Sequence, residues 1–186
     1  PAALRQFVID NSADLGIALD GDGDRLMMVD AAGELYDGDK LLYVIARGQK
    51  AQGKLAGVVG TLMSNLGFQR AIEALGVPFV RAKVGDRYVV EEMRKDGYNV
   101  GGEQSGHVVF LDFNTTGDGM LTALQLLNVI KQTGKKLSEL AAQVTTYPQE
   151  LVNVRVTDKK AALDNEVIKA AIAKVEDKMG DEGRVL

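Results

Sequence analysis

At 186 residues, with 46% hydrophobic and 26% charged side chains, the chain has an ordinary globular composition and the length of one full domain plus pieces of neighbours. Its formal charge of -4 arises from dispersed rather than clustered charges, which argues against a nucleic-acid or membrane surface. Lack of cysteine removes disulfides and thiolate metal sites, no apolar run reaches the roughly 20 residues of a membrane span, and the cytoplasm is the simplest compartment.

Residues 1–11 read as the end of a helix, with Leu4, Phe7 and Val8 at helical spacing, and Asp14 to Leu19 as a buried strand. The loop Asp20-Gly21-Asp22-Gly23-Asp24-Arg25 follows, then a short strand from Arg25 to Val29 and a turn at Ala31 to Glu34. Asp37-Gly38-Asp39 opens a helix to about Lys50, whose Leu41, Leu42, Val44 and Ile45 are available for packing. Strands and helices then alternate: Gly57 to Leu62, Asn65 to Leu75, Phe79 to Lys83, Asp86 to Lys95. That alternation predicts parallel strands joined by helical crossovers.

Asn99 to Glu103 and His107 to Leu111 add two short strands around a glycine-rich turn, and Gly117 to Lys131 is an amphipathic helix. After Tyr147-Pro148, Leu151 to Val156 reads as a strand by its β-branched content and Ala161 to Lys178 as a helix. The expected fold class is α/β, a mixed, largely parallel sheet with helices on both faces, and partial α/β segments at either side. The divisions fall at 1–33, 34–147 and 148–186. The chain opens at Pro1 and stops at Leu186 where a strand is starting, so an internal fragment of a longer protein is expected.

Asp20, Asp22 and Asp24 alternate with glycines, so three mutually repelling carboxylates can converge on one hard divalent cation. Arg25 adds a guanidinium suited to a phosphate. A calcium loop of EF-hand type is excluded, because its glycine position falls on Arg25 and its terminal glutamate position on Ala31. A strand ending in Asp-x-Asp also resembles the nucleophile loop of haloacid-dehalogenase-type aspartyl phosphotransferases, in which the first aspartate is phosphorylated.

A second constellation is Gly102-Glu103-Gln104-Ser105-Gly106-His107, which holds the sole histidine. Glu103 and Ser105 lie two apart on a turn, a spacing that aims a carboxylate and a hydroxyl at the same side of a polyol. His107 is then a proton-transfer candidate or a further ligand contact. Lys83 and Arg87 flank a strand-to-helix loop whose helix Asp86 would N-cap; both are candidates for phosphate or sugar contact. Ser64 or Asn65 reads as a helix cap, and Asp118 as structural.

Asp20 to Arg25 together with Gly102 to His107, in this order and about 80 residues apart, resembles the α-D-phosphohexomutase superfamily. Gly60-Thr61-Leu62-Met63-Ser64-Asn65 and Ala82-Lys83-Val84-Gly85-Asp86-Arg87-Tyr88 are more similar to its bacterial branch acting on glucosamine phosphates than to its phosphomannomutases or phosphoglucomutases. The resemblance implies a four-domain parent, represented here by the end of domain 2 with its metal loop (1–33), all of domain 3 (34–147) and the opening of domain 4 (148–186). It implies Mg²⁺ held by Asp20, Asp22, Asp24 and a phosphoserine, Arg25 near that phosphoryl group, sugar hydroxyls read by Glu103 and Ser105, and binding or proton transfer by His107 and Lys83. The implied reaction interconverts glucosamine 6-phosphate and glucosamine 1-phosphate through a 1,6-bisphosphate. Other phosphohexomutase activity and aspartyl phosphotransfer remain as alternatives. Ser12, Ser64, Ser105 and Ser138 all lie outside any segment like the family's phosphoserine motif, and its closing phosphate loop is also missing, so this chain alone is expected to be inactive.

Overall fold

The computed structural model describes residues 2–185, which divide into two compact units, one ending at Tyr147 and the other beginning at Pro148. In the first unit, helix α1 (Ala2–Asp10) lies on a three-stranded antiparallel sheet of β1 (Leu15–Leu19), β2 (Leu26–Asp30) and β3 (Leu35–Tyr36). β1 is not the buried strand expected. It pairs on one side only, and Ile17 and Leu19 are 41% and 40% exposed. β2, central in this sheet, takes the buried role with Leu26, Met28 and Val29. β3 is only two residues long, too short to show a period in the sequence.

Helix α2 (Gly38–Ala51) leads into a four-stranded sheet of β4 (Val58–Thr61), β5 (Phe79–Ala82), β6 (Val100–Gly102) and β7 (Val108–Phe110), in the order β5-β4-β6-β7. β4 runs parallel to both β5 and β6, while β7 returns antiparallel to β6. The sheet is therefore mixed and largely parallel. Helices α3 (Leu66–Ala74), α4 (Asp86–Asp96), α5 (Gly119–Thr133) and α6 (Leu137–Ala141) complete the unit.

Side chains alternate across the strands, as a period of two requires. Val58, Val100, Val108 and Phe110 enter the larger core with Leu41, Leu42, Ile45, Phe68, Ile72, Leu126, Leu137 and Leu140. Val59, Ala82 and Val109 face the other way and meet Val89, Val90 and Met93 of α4. Helices thus cover both faces. Leu26 and Met28 of β2 sit in the larger core too, which ties the antiparallel sheet to the α/β segment. Truncating a fully buried side chain here, such as Leu126→Ala, costs about 2–5 kcal/mol.

Helix caps follow the local chemistry. Asp37, Asn65 and Asp118 each accept a backbone N–H one turn in, from Lys40, Gly67 and Leu121 respectively. The structural reading of Asp118 and the capping role of Asn65 hold.

In the second unit, residues 151–156 form no strand. β-branched content alone does not hold an extended segment, because its N–H and C=O groups need a neighbouring ladder and no described residue supplies one. The long helix expected over 161–178 is two helices, α7 (Lys159–Leu163) and α8 (Glu166–Met179), broken where Asn165 turns out to cap α8. No described residue of this unit is buried.

Candidate functional site

The acidic loop is the tip of the β1–β2 hairpin, not the carboxyl end of a parallel strand. Two neighbours hold it. Arg25 forms a β-bridge with His107, with the Leu26 N–H donating to the Gly106 carbonyl at 3.1 Å, and the Gly119 N–H at the start of α5 donates to the Gly23 carbonyl at 2.9 Å. The two motifs separated in sequence are therefore stitched together by backbone.

Within the loop, Asp20, Asp22 and Asp24 each offer an oxygen, all within 4.8 Å of one another. The Arg25 N–H donates to Asp20 Oδ1 at 3.2 Å, and its Nε lies 3.8 Å from Asp20 and 3.9 Å from Asp24. What burial Asp20 has acts to raise its carboxyl, but the Arg25 N–H, hydrogen bonding with Asp24 and the Arg25 guanidinium together hold it below the usual carboxylate range. Three converging carboxylates, those of Asp20 and Asp22 exposed and that of Asp24 half-buried, fit a hard divalent cation.

His107 is 6% exposed and stands between two carboxylates. Its Nδ1 lies 3.0 Å from Asp24 Oδ2 in a hydrogen bond. Its Nε2 lies 3.1 Å from Asp86 Oδ1, an ion-pair distance without hydrogen-bond alignment, and neither atom has another partner. Gly117 closes over the ring; any side chain there would overlap the imidazole. Burial of this ring, rather than display at a surface, is what the sequence did not disclose. Asp86 is likewise not the helix cap expected: Gly85 occupies that position and makes no side-chain cap, while Asp86 turns to His107.

A cleft of ≈ 320 Å³ opens beside this junction, lined by Thr61, Met63, Val84, Glu103, Gln104 and Ser105. These residues follow or end β4, β5 and β6, the carboxyl edge where ligands bind in α/β sheets. Glu103 Oε1 accepts the Gly85 N–H at 2.9 Å, which fixes that carboxylate at the cleft wall. Ser105 is exposed.

The structure treats the remaining candidates differently. Lys83 follows β5 and its ammonium stands 5.7 Å from the Tyr88 ring centroid. Arg87 is drawn along α4 to Glu91 at 2.7 Å and does not line the cleft. Sequence reasoning missed Asp39, read only as part of a helix start. It is 1% exposed, and its Oδ2 accepts the Asn65 N–H at 2.6 Å. Burial, first of all, with the charge of Asp37, pushes its carboxyl up to about 7 against the opposing effects of the Asn65 N–H, Ser64 and Arg81.

Residues 37–147 match the family described as phosphoglucomutase/phosphomannomutase, alpha/beta/alpha domain III. Over its full length the chain is 66% identical to a phosphoglucosamine mutase of Ligilactobacillus salivarius (strain UCC118), and it spans 42% of that relative's length. Among solved structures, a putative phosphomannomutase from Thermus thermophilus superposes with a TM-score of 0.71 at 28% identity, over 76% of this chain and 33% of its own. An N-acetylphosphoglucosamine mutase of Aspergillus fumigatus, in complex with GlcNAc-6P and magnesium, shares the fold at 21% identity, with a TM-score of 0.70 over 87% of this chain and 40% of its own.

Proposed function

Because the chain belongs to the phosphoglucomutase/phosphomannomutase family, with its α/β/α domain III at residues 37–147, we propose that it is part of a phosphoglucosamine mutase. In this reading, residues 1–33 close domain 2 and carry the metal loop, 34–147 form the sugar-binding domain 3, and 148–186 open domain 4. The reaction interconverts glucosamine 6-phosphate and glucosamine 1-phosphate through a 1,6-bisphosphate that turns over between two phosphoryl transfers. Its product feeds cytoplasmic UDP-N-acetylglucosamine synthesis and hence peptidoglycan.

One observation carries this reading most: the backbone bridge from Arg25 to His107 sets the acidic loop against the turn whose Glu103 and Ser105 line the cleft. In this reading a phosphosugar in that cleft meets the hydroxyl-binding groups of the Glu103–Ser105 turn, and the backbone bridge ties that turn to the cation-binding, guanidinium-bearing loop.

The roles follow from the atoms each side chain presents. Glu103 and Ser105 accept and donate hydrogen bonds to adjacent sugar hydroxyls, and Glu103 is held ready by the Gly85 N–H. Lys83 and Arg25 offer cationic groups to phosphoryl oxygens. His107, too enclosed to reach a sugar directly in this geometry, orients Asp24 through Nδ1 and holds its ring against Asp86 through Nε2. Arg87, engaged by Glu91, is left out of the set.

Asp20, Asp22 and Asp24 would hold Mg²⁺, which when bound supplies charge stabilisation to the migrating phosphoryl group. The relative from Aspergillus fumigatus was solved with magnesium, which supports the choice of ion. The phosphoserine that carries the phosphoryl group is proposed to lie elsewhere in the longer enzyme, since none of the chain's serines stands in the family's phosphoserine motif. The chain alone is then catalytically silent.

In the full-length gene product, E103Q and S105A each lower kcat/KM for glucosamine 6-phosphate by about 10²-fold or more, with the fold intact. Near-normal turnover in both variants would sink the assignment. Aspartyl phosphotransfer is the rival, and it predicts an acyl phosphate on Asp20 after treatment with a small phosphoryl donor and Mg²⁺; the proposal predicts none.

A further inference from the structure

The first turn of α2 touches both walls of the cleft at once. On one side, the Gly38 N–H donates to the Gln104 carbonyl at 2.9 Å, and Asp37 Oδ2 accepts the Gln104 side-chain amide at 3.2 Å. Gly38 sits so close to the Glu103 carbonyl that a Cβ would overlap it, so the helix start and the Glu103–Gly106 turn are in direct backbone contact. On the other side, Asp39 Oδ2 accepts the Asn65 N–H at 2.6 Å, within the loop that begins at Thr61. Adjacent residues of one rigid helical turn therefore grip the two segments that supply Thr61 and Met63, and Glu103, Gln104 and Ser105, to the cleft.

Other bonds hold the Thr61–Asn65 loop as well: the Leu62 N–H donates to the Ala82 carbonyl at 3.0 Å, the Ser64 N–H to the Thr61 carbonyl at 3.1 Å and the Met63 N–H to Thr61 Oγ1 at 3.2 Å. Ser64 Oγ accepts the Thr61 N–H at 3.0 Å, and Arg81 Nη1 donates to the carbonyls of Thr61 and Ser64 at 2.7 and 2.9 Å. Asn65 is anchored to Tyr147 by bonds in both directions, its side-chain amide donating to the Tyr147 carbonyl and its Oδ1 accepting the Tyr147 N–H. Asp39 is the only acid in this group. A buried carboxylate is costly and is replaced at no penalty by an apolar residue unless its hydrogen bonds matter.

We propose that Asp39 is a positioning residue of the cleft, its buried carboxyl setting the Thr61–Asn65 wall against the Glu103–Ser105 wall at the separation a sugar phosphate needs. This deepens the proposed function and rests on it for the ligand, though not for the coupling between the walls. The charged and polar groups that act on the carboxyl are Asp37 from its own helix, Ser64 and the Asn65 N–H from the β4–α3 loop, and Arg81 from β5, while its second oxygen, Oδ1, is buried without a hydrogen-bond partner. Burial above all, and then the charge of Asp37, favours the protonated form, while the Asn65 N–H, Ser64 and Arg81 favour the carboxylate. The carboxyl holds the Thr61–Asn65 wall directly, and the Glu103–Ser105 wall is held by the neighbouring Asp37 and Gly38 of the same helical turn.

The test uses backbone amide NMR of the ¹⁵N-labelled 186-residue chain without ligand, followed by titration with glucosamine 6-phosphate. In the wild-type chain, amides of Thr61–Asn65 and of Gln104–Ser105 shift together with pH along one common midpoint, and in D39N that transition vanishes while the spectrum stays native. D39A displaces both sets of amides and weakens sugar-phosphate binding by about tenfold, whereas D39N, which keeps a carbonyl oxygen for the Asn65 N–H, stays within threefold of wild type. The proposal is overturned if the common transition persists in D39N, or if the Gln104–Ser105 amides ignore both substitutions. Should D39A fail to fold, the wild-type and D39N titrations decide alone. If the wild-type chain binds no sugar phosphate, the functional reading fails, while the ligand-free shifts still settle the role of Asp39.

Discussion

His107 Nδ1 lies 3.0 Å from Asp24 Oδ2, so the single histidine of the chain is spent on orienting a carboxylate of the acidic loop rather than on display in the cleft. That bond crosses from β7's leading turn to the hairpin tip, beside the Arg25 bridge. Whatever moves one motif moves the other. A fixed ligand orientation is what supporting hydrogen bonds give a metal site, typically at about 10–100-fold in affinity.

Replacing Gly117 by alanine should disturb this arrangement without touching any charged group. The added methyl overlaps the imidazole ring, and overpacking of this kind costs about 1–3 kcal/mol. Thermal unfolding of G117A should show the loss, and calorimetric titration should show Mg²⁺ affinity falling with it. Unchanged stability would mean that the ring has room to swing aside.

Asp22 makes no hydrogen bond in the described residues, unlike Asp20 and Asp24, so its neutralisation separates metal binding from loop integrity. D22N should weaken Mg²⁺ at least tenfold while leaving the melting temperature of the metal-free chain within about 1–2 °C. If D22N instead binds Mg²⁺ as well as wild type, the three-aspartate site is wrong.

Asp39 gives stability a pH dependence of definite sign. Its folded-state value of about 7 lies above the ordinary aspartate value of 3.8, so the folded chain binds the extra proton between them. The protonated form's advantage is complete below about pH 4 and is lost as pH rises through about 7, an effect on the order of 4 kcal/mol at most. D39N should flatten that segment of the stability curve, measured by urea unfolding at pH 5, 6, 7 and 8, and should gain on wild type toward pH 8. A D39N curve parallel to wild type would show that Asp39 does not carry the titration.

Much of this was legible in the sequence because the relevant signals are local. The alternation of strand and helix from Val58 to Asp96, the helix starts at Asp37 and Asp118 and the cap at Asn65 need only neighbouring residues to be read. The carboxylate triplet at Asp20, Asp22 and Asp24 announces itself by self-repulsion. What stayed hidden depends on contacts distant along the chain. Nothing near His107 tells that Asp24, Asp86 and Gly117 will enclose it, and nothing near Asp39 tells that the Asn65 N–H will arrive. The exposed face of β1 and the unpaired stretch 151–156 failed for the converse reason: apolar and β-branched content signals capacity to pair, but pairing needs a partner.

The most direct test of the central claim is amide NMR mapping of the ¹⁵N-labelled chain with glucosamine 6-phosphate at millimolar concentration, in the presence of Mg²⁺. One joint site predicts saturable shifts at Thr61–Met63, Val84 and Glu103–Ser105 together with Asp20–Arg25, and loss of the loop shifts on chelation of the metal. Shifts that avoid Glu103–Ser105, or that leave the acidic loop untouched while the cleft fills, would contradict it.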